Sequence, residues 1–261
     1  TTTAAATFDF AGGDQFVLTV SGAVTSQANQ TMAINIDAAD KMIFGGAVTE
    51  GSSAAISVTL EAGAELELTG NATIGATKID GTGDGLGILT LNNATGTTIS
   101  SAVGATSSKA LAEVTVTDDT VGIFNGVVDA TAINALGTTT FANNVLGAIK
   151  INDNALTFSV ASSDRTVTGT IAEKTGGATG SNIVFVNSAD SAVIRTTVSG
   201  VVAADTATIG TALKAGVATF TSAATIADIN IVGGSVDSDE DSELNAVASV
   251  TSTTGITLDD N

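Results

Sequence analysis

Between residues 114 and 126 the sequence reads VTVTDDTVGIFNG, in which apolar and polar residues alternate on both sides of Asp118 and Asp119. Alternation with a period of two turns one face of an extended strand toward a core and the other toward solvent. Similar segments recur roughly every ten residues, and Gly, Asp or Asn follows most of them. The chain contains no Pro, so these residues must form the turns. The pattern predicts an all-β protein.

The same alternation predicts strands along most of the chain. The predicted strands lie within residues 14–22, 32–37, 54–63, 64–70, 87–93, 112–119, 148–154, 155–160, 165–171, 182–187, 192–200, 216–222, 226–234 and 255–260. Two segments, 107–114 and 208–217, have a weak helical character. β-Branched and Gly residues restrict any helix there to one or two turns.

A second pattern distinguishes between β architectures. A Phe is followed by a small apolar residue and then by an Ile at several places, which favours stacked coils that bury equivalent residues. The copies are Phe44–Val48–Ile56, Phe124–Val128–Ile133, Phe141–Val145–Ile149 and Phe220–Ala224–Ile229. We expect a parallel β-solenoid, with an array of β-sandwiches as the alternative. Residues 1–235 would form the repetitive domain, with room for two sub-domains, and residues 236–261 an acidic C-terminal segment with a final strand.

The composition excludes several classes of function. The chain has no Cys and no His, so it lacks thiol nucleophiles, imidazole bases and the usual zinc, copper and haem ligands. It carries 27 acidic and 8 basic residues, and a net charge of −19 opposes binding to nucleic acid. Polar residues interrupt every apolar run, so we expect no membrane span. The absence of Trp and Tyr argues against a glycan-cleaving enzyme with aromatic sugar platforms.

The most acidic segment, DSDEDSELN at residues 237–245, suggests a calcium site. Asp237, Asp239, Asp241 and Glu243 occupy alternate positions, so an extended chain would place four hard oxygen ligands on one face. The alternative is a solvated acidic loop with no ligand. Smaller acidic pairs, such as Asp118 with Asp119, Asp80 with Asp84 and Asp259 with Asp260, are typical of turns, where Asp bonds to the backbone.

Residues 87–106 and 110–145 resemble the passenger domains of bacterial surface autotransporters, and most closely those of the rickettsial outer-membrane adhesin type. The resemblance is carried by Leu89, Leu91, Phe124, Asn125, Gly126 and Val128. It implies an extended β-solenoid displayed on a cell surface. Surface-layer proteins and extracellular filament subunits have a similar acidic, Cys-free composition rich in Thr, Ala, Gly and Val.

These features predict a non-enzymatic, exported structural protein of a bacterial or archaeal cell. We expect it to self-assemble through strand edges into a cell-surface layer or filament. Because the surface is strongly acidic, close packing of copies should require divalent cations or high salt. The alternatives are an adhesin passenger that binds host or neighbouring cells, with a cell-surface glycan as one partner, an ice-binding face built from Thr ladders, and a polysaccharide-active enzyme.

Overall fold

The structure is a computed structural model of the 261-residue chain. It describes residues 6–10, 15–51, 54–70, 73–74, 78–105, 108–174, 180–188, 194–211, 213–232 and 242–259. The chain forms two compact units, here called unit 1 (Thr1–Asn134) and unit 2 (Ala135–Asn261). All regular structure in the described residues is β-strand.

Unit 1 consists of short strands that follow one another in groups of three. The strands are β1 (Ala6–Phe10), β2 (Val17–Val20), β3 (Val24–Thr25), β4 (Thr31–Ile36), β5 (Lys41–Phe44), β6 (Val48–Thr49), β7 (Ala55–Leu60), β8 (Glu65–Leu68), β9 (Thr73–Ile74), β10 (Lys78–Gly81), β11 (Ile88–Leu91), β12 (Thr97–Ile99), β13 (Ala102–Val103), β14 (Leu111–Val116), β15 (Val121–Phe124) and β16 (Val128–Ala135), in which unit 1 ends.

Each strand from β1 to β13 pairs in parallel with the strand three places further along the chain. β1, β4, β7, β10, β13 and β16 form one sheet. β2, β5, β8, β11 and β14 form a second, and β3, β6, β9, β12 and β15 a third. One coil of chain therefore contributes one strand to each of three sheets, which is the architecture of a parallel β-solenoid.

The interior of unit 1 is filled by ladders of equivalent apolar residues. Because paired strands are in register, every second residue stacks on its counterpart in the next coil. One ladder comprises Phe44, Leu68, Leu91 and Val116, and another comprises Ile34, Val58, Ile79, Val103 and Val128. All of these side chains are at most 2% exposed.

Unit 2 is built from the same kind of coil, but some of its strands continue through a corner instead of ending there. Its strands are β17 (Thr138–Phe141), β18 (Val145–Ile151), β19 (Ala155–Val160), β20 (Arg165–Thr168), β21 (Ile171–Glu173), β22 (Asn182–Asn187), β23 (Arg195–Val198), β24 (Val202–Ile209), β25 (Val217–Phe220), β26 (Ala224–Val232), β27 (Glu243–Ala246) and β28 (Val250–Asp259). The pairings are again parallel.

Every residue of the Phe repeats is buried, but the copies do not form one continuous ladder. Phe141 stacks on Phe158 with ring centroids 6.0 Å apart, and Phe158 stacks on Phe185 at 5.5 Å. Phe220 belongs to the ladder of Val198 and meets Phe185 edge-on at 5.8 Å. Phe44 pairs with Leu68. The Phe of each repeat is the last residue of its strand, but these strands belong to different ladders.

Ser and Thr residues at the corners between strands form hydrogen bonds to the preceding coil. Thr117 donates both its amide and its Oγ1 to the carbonyl of Leu91, at 3.0 and 3.2 Å. Ser199 donates in the same way to the carbonyl of Val167, at 2.9 and 3.2 Å. Each of these residues follows the end of a strand and bonds to the strand end of the preceding coil. This pair of hydrogen bonds explains why Ser and Thr so often follow the last apolar residue of a strand.

The structure confirms the parallel β-solenoid and excludes the sandwich alternative, because sandwiches are built from antiparallel sheets. Each predicted alternating segment contains a strand. The helical character predicted at 107–114 and 208–217 is wrong for the described residues. Leu111–Val116 is a strand, and Thr211 and Lys214 form an isolated bridge. The predicted boundary at residue 235 lies outside the described residues, and the predicted final strand is part of β28.

Candidate functional site

The predicted calcium site is only partly described. Asp237, Asp239 and Asp241 lie outside the described residues, whereas Glu243 begins β27 with an exposed side chain. In the part of the chain that the structure describes, no three acidic side chains come close enough to hold a metal ion. A calcium site at residues 237–243 stays a prediction.

The smaller acidic pairs adopt different arrangements. Asp118 and Asp119 form a turn in which Thr120 donates its amide to the carbonyl of Thr117 at 3.2 Å, and Asp119 has a positive φ of 59°. Asp80 is buried and pairs with Lys78 Nζ at 3.3 Å. Turn formation is thus confirmed for the first pair, whereas the buried Asp80 belongs to an ion pair.

Asp84 lies near a carboxylate that the sequence did not associate with it. Burial raises the pKa of Asp129, and the negative charge of Asp84 raises it further.

A polar network lies on the outer face of the second sheet of unit 1. Lys41 Nζ lies 3.1 Å from Glu65 Oε2 and 2.6 Å from Glu67 Oε2. Thr90 Oγ1 donates to Glu65 Oε1 at 2.7 Å, and Asn92 Nδ2 donates to Glu67 Oε1 at 2.8 Å. This Lys41 network joins β5, β8 and β11, which belong to three successive coils.

The electrostatics of the Lys41 network oppose a catalytic role. Burial lowers the pKa of Lys41, but hydrogen bonds to Glu67 and Glu65 outweigh it and hold the pKa above its usual value. Burial raises the pKa of Glu67, and hydrogen bonds from Lys41 and Asn92 outweigh it and hold the pKa below its usual value. A lysine that stays charged cannot act as a base or nucleophile near neutral pH. The charge of Lys41 instead neutralises the Glu65 and Glu67 carboxylates of the next coil.

The second candidate is the coil formed by β27 and β28 in unit 2. Among the described strands, β28 pairs only with β26, so its other edge has no described neighbour. Ile256 and Leu258 continue the ladders of Ile229 and Ile231. Ile229 is 1% exposed, whereas Ile256 is 58% and Leu258 71% exposed. This coil therefore presents two ladder positions to solvent beside a strand edge that has no described neighbour.

The first described coil of unit 1 has a similar character. Phe16, next to β2, is 51% exposed, and Leu18 is half-buried although its ladder partner Met42 is fully buried. An apolar cavity of about 130 Å³ lies within this coil and the next. Its walls are formed by Val20, Val24, Met32, Ile34, Met42 and Phe44. We call this coil and the β27–β28 coil the terminal coils.

Sequence reasoning missed the Lys41 network and the exposed terminal ladders. A signal for the network was present, because Lys41 and Glu65 both begin four-residue strands and lie 24 positions apart. The exposed ladder positions had no signal in the sequence, since Ile256 and Leu258 have the same alternation as buried residues.

Comparisons with known proteins add no relative. A scan against protein-family models, a search of curated proteins and a search of solved structures each find no match to this chain. Within the described residues there is also no helix of the length and apolar character needed to cross a bilayer.

Proposed function

We propose that this chain is a non-enzymatic structural protein of the bacterial or archaeal cell exterior that self-assembles into a layer or filament by strand addition between copies at its terminal coils. The observation that carries the proposal is the exposure of Ile256, whose ladder partner Ile229 is buried one coil earlier, together with the exposure of Leu258, whose partner Ile231 is half-buried. A second copy that adds a coil there would bury both side chains.

The edge of β28 supports the same proposal. A parallel strand with an unpaired edge offers backbone amides and carbonyls to another strand. Addition of a coil from a second copy would satisfy these groups by the hydrogen-bond pattern that already joins β26 to β28. The exposed Phe16 and the half-buried Leu18 give the other terminal coil matching apolar character.

Charge sets the conditions for this assembly. Copies with a net charge of −19 repel one another, and salt reduces that repulsion over a Debye length of about 8 Å at physiological ionic strength. Divalent cations would reduce it more strongly, whether or not the acidic residues 237–243 form a specific calcium site. Filaments should therefore lengthen with added calcium or salt.

Negative-stain electron microscopy and sedimentation velocity, with millimolar calcium and with chelator, test the proposal. We expect ordered filaments or layers from the natural chain and monomers from Leu258→Lys. Thr257→Lys is the matched control, because it adds the same charge at an exposed position that points away from the ladders. It should assemble like the natural chain.

Two outcomes would overturn the proposal. One is a chain that stays monomeric at every calcium and salt concentration, which would favour the adhesin alternative if the monomer binds cells. The other is equal loss of assembly in Leu258→Lys and Thr257→Lys, which would show that charge rather than ladder burial decides the result.

A further inference from the structure

A shallow polar groove lies on the outer face of unit 2, across β23, β25 and β27. Its volume is about 490 Å³. Thr197, Thr219 and Asn245 are direct register neighbours on the three strands and form a row along it, with a spacing of about 4.8 Å per strand. The remaining polar residues are Asp164, Arg195 and Glu243.

Several polar groups of this groove have no hydrogen-bond or ion-pair partner among the described residues. The described residues place no carboxylate oxygen within 4.0 Å of the Arg195 guanidinium, although acidic residues outnumber basic ones 27 to 8. Asp164 Oδ1 accepts the backbone amide of Arg195 at 2.9 Å, which leaves Oδ2 available. In the described structure no hydrogen bond uses the Thr197 hydroxyl or the Asn245 side-chain amide.

The groove also has an apolar part. Val247 is 76% exposed and lies beside Ala246 in the lining. Thr219 Oγ1 is buried and has no hydrogen-bond partner, so Thr219 does not present its hydroxyl to the groove. The groove is therefore lined by polar groups and by a small surface of carbon atoms.

The chemistry of the rim selects a class of ligand. Arg195 can only donate hydrogen bonds, Asp164 and Glu243 in their charged form can only accept them, and Thr197 and Asn245 do both. Closely spaced hydroxyls match this set well, because each hydroxyl both donates and accepts hydrogen bonds. With two carboxylates and one guanidinium, the groove disfavours an anionic ligand. The C–H face of a sugar ring suits the carbon surface of Ala246 and Val247.

From these features we infer that the groove binds a neutral saccharide. Arg195, Asp164 and Glu243 hold ring hydroxyls, Thr197 and Asn245 extend the contacts along the row, and Val247 packs against the ring. Binding of this kind would attach the chain to a glycan-covered surface, and it does not depend on self-assembly.

An array of oligosaccharides, divided into neutral and into sialic- or uronic-acid-containing members, identifies the ligand. Calorimetric titration of the strongest binder then measures affinity. Arg195→Gln and Thr197→Val should each weaken binding by about tenfold, since each removes a hydrogen bond to the ligand. Circular dichroism should show both variants folded, because neither side chain makes a hydrogen bond or ion pair within the described residues.

Thr219→Val is the matched control in the same row. It keeps the side-chain shape and removes a hydroxyl that has no hydrogen-bond partner among the described residues, so binding should be unchanged and the free energy of unfolding equal or higher. The inference is supported if the chain binds neutral glycans in the presence of chelator, and if Arg195→Gln and Thr197→Val weaken this binding whereas Thr219→Val does not. Binding to acidic glycans alone, binding that requires calcium, or no binding at millimolar concentration would overturn it.

Discussion

Unit 1 and unit 2 build the same coil by different means. In unit 1 the coil length is nearly constant, with Lys41 paired to Glu65 and Thr25 bonded to Thr49, 24 residues apart in both cases. In unit 2 it varies widely. Thr139 pairs with Leu156, 17 residues further along, whereas Arg165 pairs with Thr196 across 31.

The interiors of the two units also differ. The ladders of unit 1 are mainly aliphatic, with Phe44 and Phe124 among them, and the Lys41 network joins its coils on the outside. Unit 2 stacks Phe141, Phe158 and Phe185, and its described residues contain no side-chain ion pair. A solenoid thus tolerates variable coil length as long as inward positions stay in register. The irregular unit depends on large aromatic side chains, and the regular unit combines its ladders with surface polar contacts.

The largest expected effect tests the aromatic stack. Phe185→Ala removes a fully buried ring that contacts both Phe158 and Phe220, and it should lower the free energy of unfolding by about 3–5 kcal/mol. Hydrogen exchange should show the loss of protection in β19, β22 and β25. Phe16→Ala is the control, since Phe16 is 51% exposed and its loss should cost less than about 1 kcal/mol. Equal effects would refute the dependence of unit 2 on its stack.

The corners provide the next comparison. A Cβ at Gly70 in unit 1 would lie 1.7 Å from the carbonyl oxygen of Gly45, and one at Gly200 in unit 2 would lie 1.6 Å from that of Gly169. Ala at either position must push adjacent coils apart. We expect each substitution to cost about 1–3 kcal/mol in chemical denaturation, to a similar extent in both units.

Matched controls exist for both corners. At Gly22 in unit 1 and Gly255 in unit 2, an added Cβ would meet no heavy atom within 4 Å. Gly22→Ala and Gly255→Ala should change stability by less than about 1 kcal/mol. A much smaller cost for Gly200→Ala than for Gly70→Ala would show that the variable coils of unit 2 are also packed more loosely at their corners.

The sequence predicts the class of fold well because alternation depends on local chemistry. Long strands such as Asn182–Asn187 are recognisable from their own residues. Two-residue strands such as Val48–Thr49 are not, since they exist only through pairing with the coils on either side. Register in unit 2 could not be predicted either, because the inserted residues at its corners carry no periodic signal.

The candidate sites were harder to predict for the same reason. Thr197, Thr219 and Asn245 are adjacent in space only because the register of three strands aligns them. In the sequence they are ordinary polar positions in alternating segments. The acidic residues 237–243 stood out by composition alone, and composition does not indicate which side chains converge.

The smallest expected effect concerns the Lys41 network and the dependence of the stability of unit 1 on pH. The pKa of Glu67 is lowered in the folded chain, so its contribution to stability is complete above its unfolded pKa of about 4.3 and is lost as the pH falls through the folded value. The pKa of Lys41 is raised, so its contribution is complete below about pH 10.4 and is lost as the pH rises through the folded value.

Glu67→Gln should therefore lower the free energy of unfolding by roughly 1 kcal/mol near pH 7, since the pair is only partly exposed. The difference from the natural chain should shrink below about pH 4 and again above about pH 10.4, where the ion pair is lost in both proteins. Glu61→Gln, at a turn without an ion pair among the described residues, should show no such difference. A difference that stays constant from about pH 3 to about pH 11 would assign the effect of Glu67 to its hydrogen bond with Asn92 rather than to its charge.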